Sequence, residues 1–356
     1  MGDYPSRSEN AVTGDPGVAP RHTRAAGTGV SPSSYDEPPI GGGGALPRKK
    51  SFSMESGFRG LSVAAGAMVL VIIVAIAVFL ISKAIPALGA NTENFLTYTR
   101  WFPNESNPAF GIAALAFGTV LTSIIALIVA VPISLGIALF LSHYAPKSLA
   151  TPLGFTIDLL AAVPSVVFGL WGRDVFQQPV NDFSVWLNKY FSWIPIFGGE
   201  GPFGQSIMLG GLVLAIMVLP IVTSLSREVF QQTPGMNEEA ALALGATRWE
   251  MIRIAVIPYG RPGVIAAVML GLGRALGETI ALALTLGLVF NISFNIIEIG
   301  GNSVAANIAT TFGEANETGR GALIASGLVL FAITLVVNMA ARAIIYRRRE
   351  FRDSAA

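Results

Sequence analysis

Two long apolar runs of this chain are separated by a polar segment that reads, from Thr233 to Arg261, TPGMNEEAALALGATRWEMIRIAVIPYGR. Thr233 can cap a helix, because its hydroxyl can accept a hydrogen bond from a backbone N–H of the first turn. Pro234 fits the first position of this helix, where the N–H that proline lacks would have no partner in the helix. Gly245 can end this helix, since glycine readily adopts the left-handed conformation that closes many helices. The first half of the segment therefore predicts a short helix between Pro234 and Gly245.

A second helix signal follows directly after Gly245. Thr247 and Glu250 have the spacing of a capping box, in which each side chain satisfies the backbone N–H of the other. This predicts a second helix that runs to about Ile257 and ends before Pro258. The result is a helix-turn-helix in a loop, and its apolar side should rest on protein because the loop lies outside the bilayer. The apolar residues are Leu242, Met251, Ile252 and Ile254.

Part of this stretch has the spacing of a known transport motif. Its residues are Glu239, Ala240, Ala241, Gly245 and Pro258. Residues 233–258, called the EAA-like segment below, resemble the EAA loop of ABC-importer permeases. The resemblance implies the type I ABC-importer permease fold and a segment that lies in a groove of an ATPase subunit and passes its motion to the membrane helices. No P-loop is found in the sequence, so any ATPase must be another chain.

The composition indicates a membrane protein. Hydrophobic residues make up 52% of the sequence and charged residues only 13%, which is far from an ordinary soluble domain. Cysteine is absent, and the two histidines, His22 and His143, are far apart. Disulfides, thiolate chemistry and a His/Cys metal site are therefore excluded, and we expect no cofactor.

Six apolar runs are each long enough to cross a hydrocarbon core of about 30 Å. They are Leu61–Ser82, Gly111–Ser142, Leu149–Trp171, Ser206–Leu225, Pro262–Phe290 and Gly321–Ile345. The predicted fold class is all-α, a polytopic membrane protein with six transmembrane helices.

The connections between these runs differ in charge. With the amino terminus inside, most Lys and Arg residues fall on the inner side, which predicts that both termini and the stretch 233–261 are cytoplasmic. Residues 1–57 are rich in Pro, Gly and Ser and are interpreted as a disordered cytoplasmic tail. Residues 58–350 form the predicted permease domain in the cytoplasmic membrane, and 351–356 a short cytoplasmic tail.

The longest outer loop, 172–205, contains an amphipathic portion with Trp186, Tyr190 and Trp193. Such aromatic residues commonly anchor a helix at the lipid interface, and this is the favoured interpretation. The alternative is a docking surface for an external binding protein.

Arg274 lies about a dozen residues into the fifth run, near the middle of the bilayer. An arginine there costs about 2.5 to 3.5 kcal/mol on insertion scales, so it should face protein or water. Glu278 is expected one turn further on, on the same helix face. The two are either an ion pair within the helix or part of a pathway lined by an anion-selective guanidinium, which we favour. Gly273 and Gly277 predict close packing of a neighbouring helix.

Three more polar residues are candidates for the same pathway. Ser165 follows Pro164, which bends helices, and can present its hydroxyl to a ligand or bond back to its own helix. Thr279 can add a second hydroxyl. Asp158 can pair with Arg274 or with a partner chain, or lie in water near the cytoplasmic end.

A narrower resemblance rests on residues 163–172, VPSVVFGLWG, and 271–279, GLGRALGET. Both resemble the PstC-type permease subunit of phosphate-specific ABC importers. This implies a six-helix subunit, a homologous PstA-type permease, two ATPase subunits and an external phosphate-binding protein. It also places Arg274 and Glu278 on the translocation path of inorganic phosphate.

Other functions are open. A permease for another oxyanion, such as sulfate or molybdate, would use the same groups, and a secondary transporter or channel also has bent helices and a buried arginine. A membrane enzyme is the weakest alternative because the sequence shows no nucleophile, base or metal constellation. We expect no nucleic-acid partner.

Overall fold

The computed structural model describes residues 54–353, with side chains over 57–343. The chain divides into two units, Met1–Ser62 and Val63–Ala356. The described part of the first unit is the start of a long helix. The disordered tail expected over 1–57 lies outside the described residues except at its last four positions, and so do the last three residues of the chain.

The described residues are mostly helical, which confirms the predicted fold class. The helices are α1 (Met54–Ala90), α2 (Ala113–Leu139), α3 (Lys147–Ala161), α4 (Ser165–Trp171), α5 (Gln177–Phe191), α6 (Ile207–Gln231), α7 (Gly235–Ala243), α8 (Arg248–Met251), α9 (Ile257–Leu276), α10 (Ile280–Thr285), α11 (Val304–Thr311) and α12 (Glu317–Asp353). Wide π turns follow α2, α4 and α8, at Phe140–Tyr144, Gly172–Phe176 and Ile252–Val256. Two short antiparallel strands, β1 (Trp101–Phe102) and β2 (Ala109–Phe110), precede α2.

Six membrane crossings are available to these helices. Five are single helical runs: Gly57–Ala90, Ala113–Tyr144, Ile207–Gln231, Arg248–Leu276 and Glu317–Ala343. The sixth is a bent pair, α3 together with the run Ser165–Phe191. Each has the length and apolar composition that a span requires. The predicted number of six spans is therefore confirmed, with the bent pair taken as one.

The bent pair takes the place of the third apolar run, 149–171, in which Pro164 was expected to bend the helix. The axes of its two parts differ by 89° at the break between Ala161 and Ser165. Pro164 explains the break, because proline donates no N–H and disfavours the helical conformation of the residue before it. Beyond the π turn the run continues into α5, whose Trp186 side chain is half-exposed.

α6 is the central helix of the second unit and is buried along most of its length. Its side chains pack against Ala126 and Ala130 of α2 and against Ala275 of α9. The Ser134 hydroxyl of α2 also donates a hydrogen bond of 3.0 Å to the Leu219 carbonyl of α6. Small residues and polar bonds of this kind hold membrane helices together, because lipid offers little hydrophobic drive for their association.

Candidate functional site

The fifth apolar run is not one helix. α9 ends at Leu276, and α10 begins only at Ile280. The Glu278 carboxylate accepts a hydrogen bond of 3.3 Å from the Ala281 N–H, which satisfies a backbone donor at the start of α10. Gly277 closes α9 by donating its N–H to the Gly273 carbonyl. The expected placement of Glu278 on the same helix face as Arg274 is therefore wrong, because the helix is interrupted between them.

Arg274 and Glu278 are also not an ion pair. The ion pairs within 4 Å among the described side chains do not include either of them. Glu278 is 8% exposed, and its carboxylate accepts a hydrogen bond from the backbone of α10. Arg274 is half-buried and points elsewhere, into a cavity. Neutralisation of Arg274 within its own helix does not explain its position.

The cavity beside Arg274 has a volume of about 980 Å³ and lies between α6, α9 and α12; it is called the α9–α12 cavity below. Its wall is apolar except for three groups: the Arg274 side chain, the Asn338 amide and the Arg342 guanidinium. No described Asp or Glu lines it. The cavity is therefore positively charged, which suits an anionic ligand.

The glycines of α9 differ in their surroundings. A Cβ at Gly271 would lie 2.8 Å from Val218 and 2.9 Å from Val222, so this glycine allows α9 to approach α6. Gly273 has no atom within 4 Å of its Cβ position and lines the α9–α12 cavity. The predicted close packing through Gly273 and Gly277 is not found with any described residue. Gly273 instead leaves space next to Arg274.

Ser165 and Thr279 lie at the same level of the fold. A Cβ at Gly169 of α4 would touch Ala281 of α10, and one at Gly172 would lie 3.1 Å from Thr285. The residue numbers of both partners rise from the first contact to the second, so α4 and α10 run parallel. Ser165, at the start of α4, is therefore level with the break before α10. The Thr279 hydroxyl there donates to the Gly277 carbonyl at 3.2 Å.

Asp158 does not pair with Arg274. Its Oδ1 accepts a hydrogen bond of 2.6 Å from the Ser224 hydroxyl, and its Oδ2 lies 3.6 Å from Nη2 of Arg227. Both partners belong to the end of α6 that leads to the EAA-like segment. A Cβ at Gly154 would collide with the Arg227 guanidinium, so that glycine lets the guanidinium lie against α3. The structure therefore places Asp158 in a contact between α3 and α6.

The EAA-like segment contains the predicted helix-turn-helix. Gly245 has a φ of +86° and ends α7. The capping box of α8 is confirmed: the Thr247 N–H donates to Glu250 at 2.8 Å, and the Glu250 N–H donates to the Thr247 hydroxyl at 3.3 Å. The predicted cap by Thr233 is wrong. Pro234 occupies the capping position, and the Thr233 hydroxyl is buried without a hydrogen-bond partner among the described atoms.

The second helix does not end before Pro258. α8 passes through the π turn Ile252–Val256 into α9, so that Arg248–Leu276 is one helical run. The Ile257 N–H donates to the Ile252 carbonyl, five residues back. Pro258 then stands in the first turn of α9, where its missing N–H is tolerated. The EAA-like segment and the Arg274 helix are thus joined directly.

One side of the EAA-like segment rests on the membrane helices, as expected. Ala241, Met251 and Ile252 are buried against Ala138 of α2 and Phe230 of α6. Two residues expected on this side lie elsewhere, because Leu242 is 44% exposed and Ile254 is 59% exposed. In the motif itself Ala241 is buried, Pro258 is half-buried, and Glu239 and Ala240 are exposed.

Two parts of the site were not predicted from the sequence. Asn338 and Arg342 of α12 line the α9–α12 cavity, and His143 contacts Glu238 of α7 at 3.4 Å. The spacing of Asn338 and Arg342, one helical turn apart in an apolar run, is a signal that could have been used. The contact of His143 leaves no local pattern, because Glu238 is 95 residues away in the sequence.

Comparison with known proteins identifies the class. Residues 130–350 match the family described as the binding-protein-dependent transport system inner membrane component, and the chain belongs to this family. It is 47% identical over 292 residues to the phosphate transport system permease protein PstC 2 of Mycobacterium tuberculosis, covering 81% of this chain and 90% of that protein. It is 41% identical over 294 residues to the PstC permease of Xylella fastidiosa, covering 82% and 90%. The resemblance to PstC-type permeases is confirmed.

A solved structure supports the fold. The crystal structure of a bacterial ABC transporter involved in the import of the acidic polysaccharide alginate is 17% identical in sequence, has a TM-score of 0.50, and covers 80% of this chain and 97% of that chain. At this identity the likeness shows the fold alone. The type I ABC-importer permease fold that the EAA-like segment implied is thereby confirmed, and the chain is a multi-pass membrane permease.

Proposed function

We propose that the chain is the permease subunit of an ATP-driven importer that carries inorganic phosphate across the cytoplasmic membrane by alternating access. The observation that carries the proposal is the helical run Arg248–Leu276. It joins the EAA-like segment at one end to Arg274 at the other, so a displacement of the segment reaches Arg274 through continuous helix. The named PstC relatives support phosphate as the substrate.

The ATPase subunits dock on the exposed apolar side of the EAA-like segment. An exposed apolar patch of this kind is typical of a protein interface. Its residues are Met236, Leu242, Leu244 and Trp249, exposed by 79%, 44%, 89% and 55%. Hydrolysis takes place on those partner chains, so this chain is not itself an enzyme. The segment and both termini lie on the cytoplasmic side, where ATP is available.

Two further partners complete the transporter. A homologous PstA-type permease supplies the other half of the pathway, and an extracytoplasmic phosphate-binding protein delivers the substrate. The open space at Gly273 and the positive wall of the α9–α12 cavity support this arrangement, since they leave room for an anion or a second chain beside Arg274.

Arg274 is the anion-binding group of the pathway. Its planar guanidinium can donate two parallel hydrogen bonds to a tetrahedral oxyanion and adds a full positive charge. The Ser165 hydroxyl, level with the break between α9 and α10, can donate a hydrogen bond to the anion. The Thr279 hydroxyl can do the same once it turns from the Gly277 carbonyl to which it donates in this structure. Glu278 has a different role from Arg274, because its carboxylate holds the first turn of α10 and thereby fixes the geometry of the break.

Transport follows from the connection between the two ends of this helical run. Closure of the ATPase subunits on ATP moves the EAA-like segments of both permeases, and α9 moves with them. The bundle then changes from inward-open to outward-open, and the binding protein releases phosphate toward Arg274. The ATPase must contact the two states differently, because a ligand shifts an equilibrium only by its differential affinity.

Uptake of radiolabelled phosphate by proteoliposomes containing the four-component transporter tests this function. Uptake should require ATP inside the vesicles and the binding protein outside them. Sulfate and molybdate should compete poorly. Uptake that persists without ATP would favour a secondary transporter, and equal competition by sulfate would favour a permease for another oxyanion.

A further inference from the structure

The α12 side of the α9–α12 cavity contains two polar groups besides Arg274 of α9. Asn338 and Arg342 are one helical turn apart and face the same cavity as Arg274. Arg342 has no carboxylate within 4 Å among the described side chains. The cavity therefore contains two guanidinium groups and, within its described lining, no negative charge to offset them.

Arg342 lies inward of Arg274. α9 and α12 are consecutive spans, so they cross the membrane in opposite directions. The α9 side of the cavity runs from Ala266 to Arg274 and the α12 side from Leu335 to Arg342. Because the two helices run in opposite directions, Arg342 lies nearer than Arg274 to the side of the EAA-like segment. An anion that leaves Arg274 toward the side of the EAA-like segment passes Asn338 and then Arg342.

We propose that Asn338 and Arg342 form a second anion-binding position, which receives phosphate after it leaves Arg274 and before it reaches the inner solution. This inference rests on the proposed function and extends the pathway from α9 to α12. A guanidinium and a side-chain amide can both donate hydrogen bonds to phosphate oxygens. Passage through a pore is favoured by several sites of moderate affinity over one tight site. The attraction of the anion to Arg342 offsets part of the free energy that it loses when it leaves Arg274.

A simpler role for Arg342 predicts a different outcome. An arginine near a helix end can extend its charge to the membrane surface without taking part in transport. In that case removal of its charge affects transport no more than removal of another cation from the same side.

The first test measures uptake of radiolabelled phosphate by the assembled transporter. Arg342→Gln should lower uptake at subsaturating phosphate about tenfold, and Arg342→Lys should restore part of it. ATP hydrolysis stimulated by the binding protein should persist in both variants, because the EAA-like segment is unchanged. The matched control is Lys147→Gln, which removes a cation from the exposed start of α3, outside the cavity, and should retain normal uptake. Equal uptake by Arg342→Gln and Lys147→Gln would overturn the proposal.

The second test does not depend on transport by the Arg342 variants. The chain contains no cysteine, so a single introduced cysteine reports one position. In the assembled complex, a negatively charged methanethiosulfonate reagent should modify Asn338→Cys several-fold faster than Val336→Cys, and added phosphate should slow only the former. Val336 is on the same helix and is 64% exposed, but it does not line the cavity. Equal rates, or no effect of phosphate, would contradict a binding position on α12.

The two proposals fail in different ways. If the wild-type complex takes up no phosphate, the proposed function is wrong. If the wild-type complex transports and Arg274→Gln does not, but Arg342→Gln matches the wild type, only the second anion-binding position is wrong.

Discussion

The Nε2 atom of His143 lies 3.4 Å from Oε1 of Glu238, and this contact joins the end of α2 to the first helix of the EAA-like segment. The His143 side chain is only 8% exposed, and the Ser142 hydroxyl lies 2.7 Å from its other ring nitrogen. This polar contact adds to the buried packing of the segment on Ala138 and Phe230 and to the continuous helical run from α8 into α9.

Replacement of His143 by alanine should loosen α7 while α8 and α9 stay intact. The reason is that α7 loses its polar contact with α2, while the capping box and the helical run are untouched. Hydrogen exchange followed by mass spectrometry should show faster exchange over Gly235–Ala243. Glu239→Gln changes a neighbouring exposed carboxylate and should leave that exchange unchanged. Unaltered exchange in His143→Ala would show that the contact does not hold α7.

Thr247→Ala should destabilise the short helix α8 by about 1 kcal/mol, because it removes the hydroxyl that accepts the Glu250 N–H. Faster exchange of the Arg248–Met251 amides is the expected signal. Thr247→Ser keeps the hydroxyl and is the matched control. Slow exchange in both variants would mean that packing on Phe230 alone maintains the helix.

Leu244→Asp should prevent the ATPase from binding without unfolding the permease. Leu244 is 89% exposed at the tip of the EAA-like segment, so the charge is harmless to the chain itself but must be buried on docking. Copurification of the ATPase with the tagged permease should be lost. Leu96→Asp, at a position that is 64% exposed between the first two spans, is the control and should copurify normally. Normal copurification of Leu244→Asp would rule out this docking surface.

Ala241→Asp is a different kind of change, although the two positions are close in sequence. Ala241 is buried against Ala138 and Phe230, so a charge there disrupts the packing of the EAA-like segment on α2 and α6. We expect this variant to uncouple ATP hydrolysis from phosphate uptake, because the charge displaces α7. Normal uptake by this variant would contradict the proposed coupling.

Gly271→Ala and Gly273→Ala form a matched pair within one helix. The methyl group at Gly271 must displace Val218 and Val222, which should cost about 1 to 3 kcal/mol. The methyl group at Gly273 meets nothing within 4 Å, and alanine there gains up to about 1 kcal/mol of helix propensity. Thermal unfolding in detergent should therefore separate the two variants. Equal melting temperatures would contradict the close approach of α9 to α6.

The sequence predicts features that depend on neighbouring residues. The capping box of Thr247 and Glu250 needs only four residues, and each membrane span needs only a sufficiently long apolar run. The turn at Gly245 is equally local. Caps and turns depend on local backbone hydrogen bonds, and membrane spans depend on the transfer of apolar side chains from water to lipid. Each of these leaves a direct pattern in the sequence.

Other features depend on contacts that the sequence does not display. The break at Gly277 lies inside the apolar run 262–290, where the residues fit a continuous helix equally well. It is stabilised by the hydrogen bond from the Ala281 N–H to the Glu278 carboxylate. Pro258 stands within a continuous helix because a π turn precedes it. The partners of Asp158 come from α6, and the cavity shared by Arg274 and Arg342 needs two helices that are far apart in sequence.

The most direct test of the proposed mechanism is phosphate uptake by the Arg274→Gln transporter, measured together with ATP hydrolysis in the same proteoliposomes. Because Arg274 faces the α9–α12 cavity and has no ion pair among the described side chains, the variant should assemble, hydrolyse ATP in response to the binding protein, and fail to take up phosphate. Arg274→Lys, which keeps the charge but loses the planar fork, should recover only part of the uptake. Full uptake by Arg274→Gln, or loss of assembly in place of loss of uptake, would contradict it.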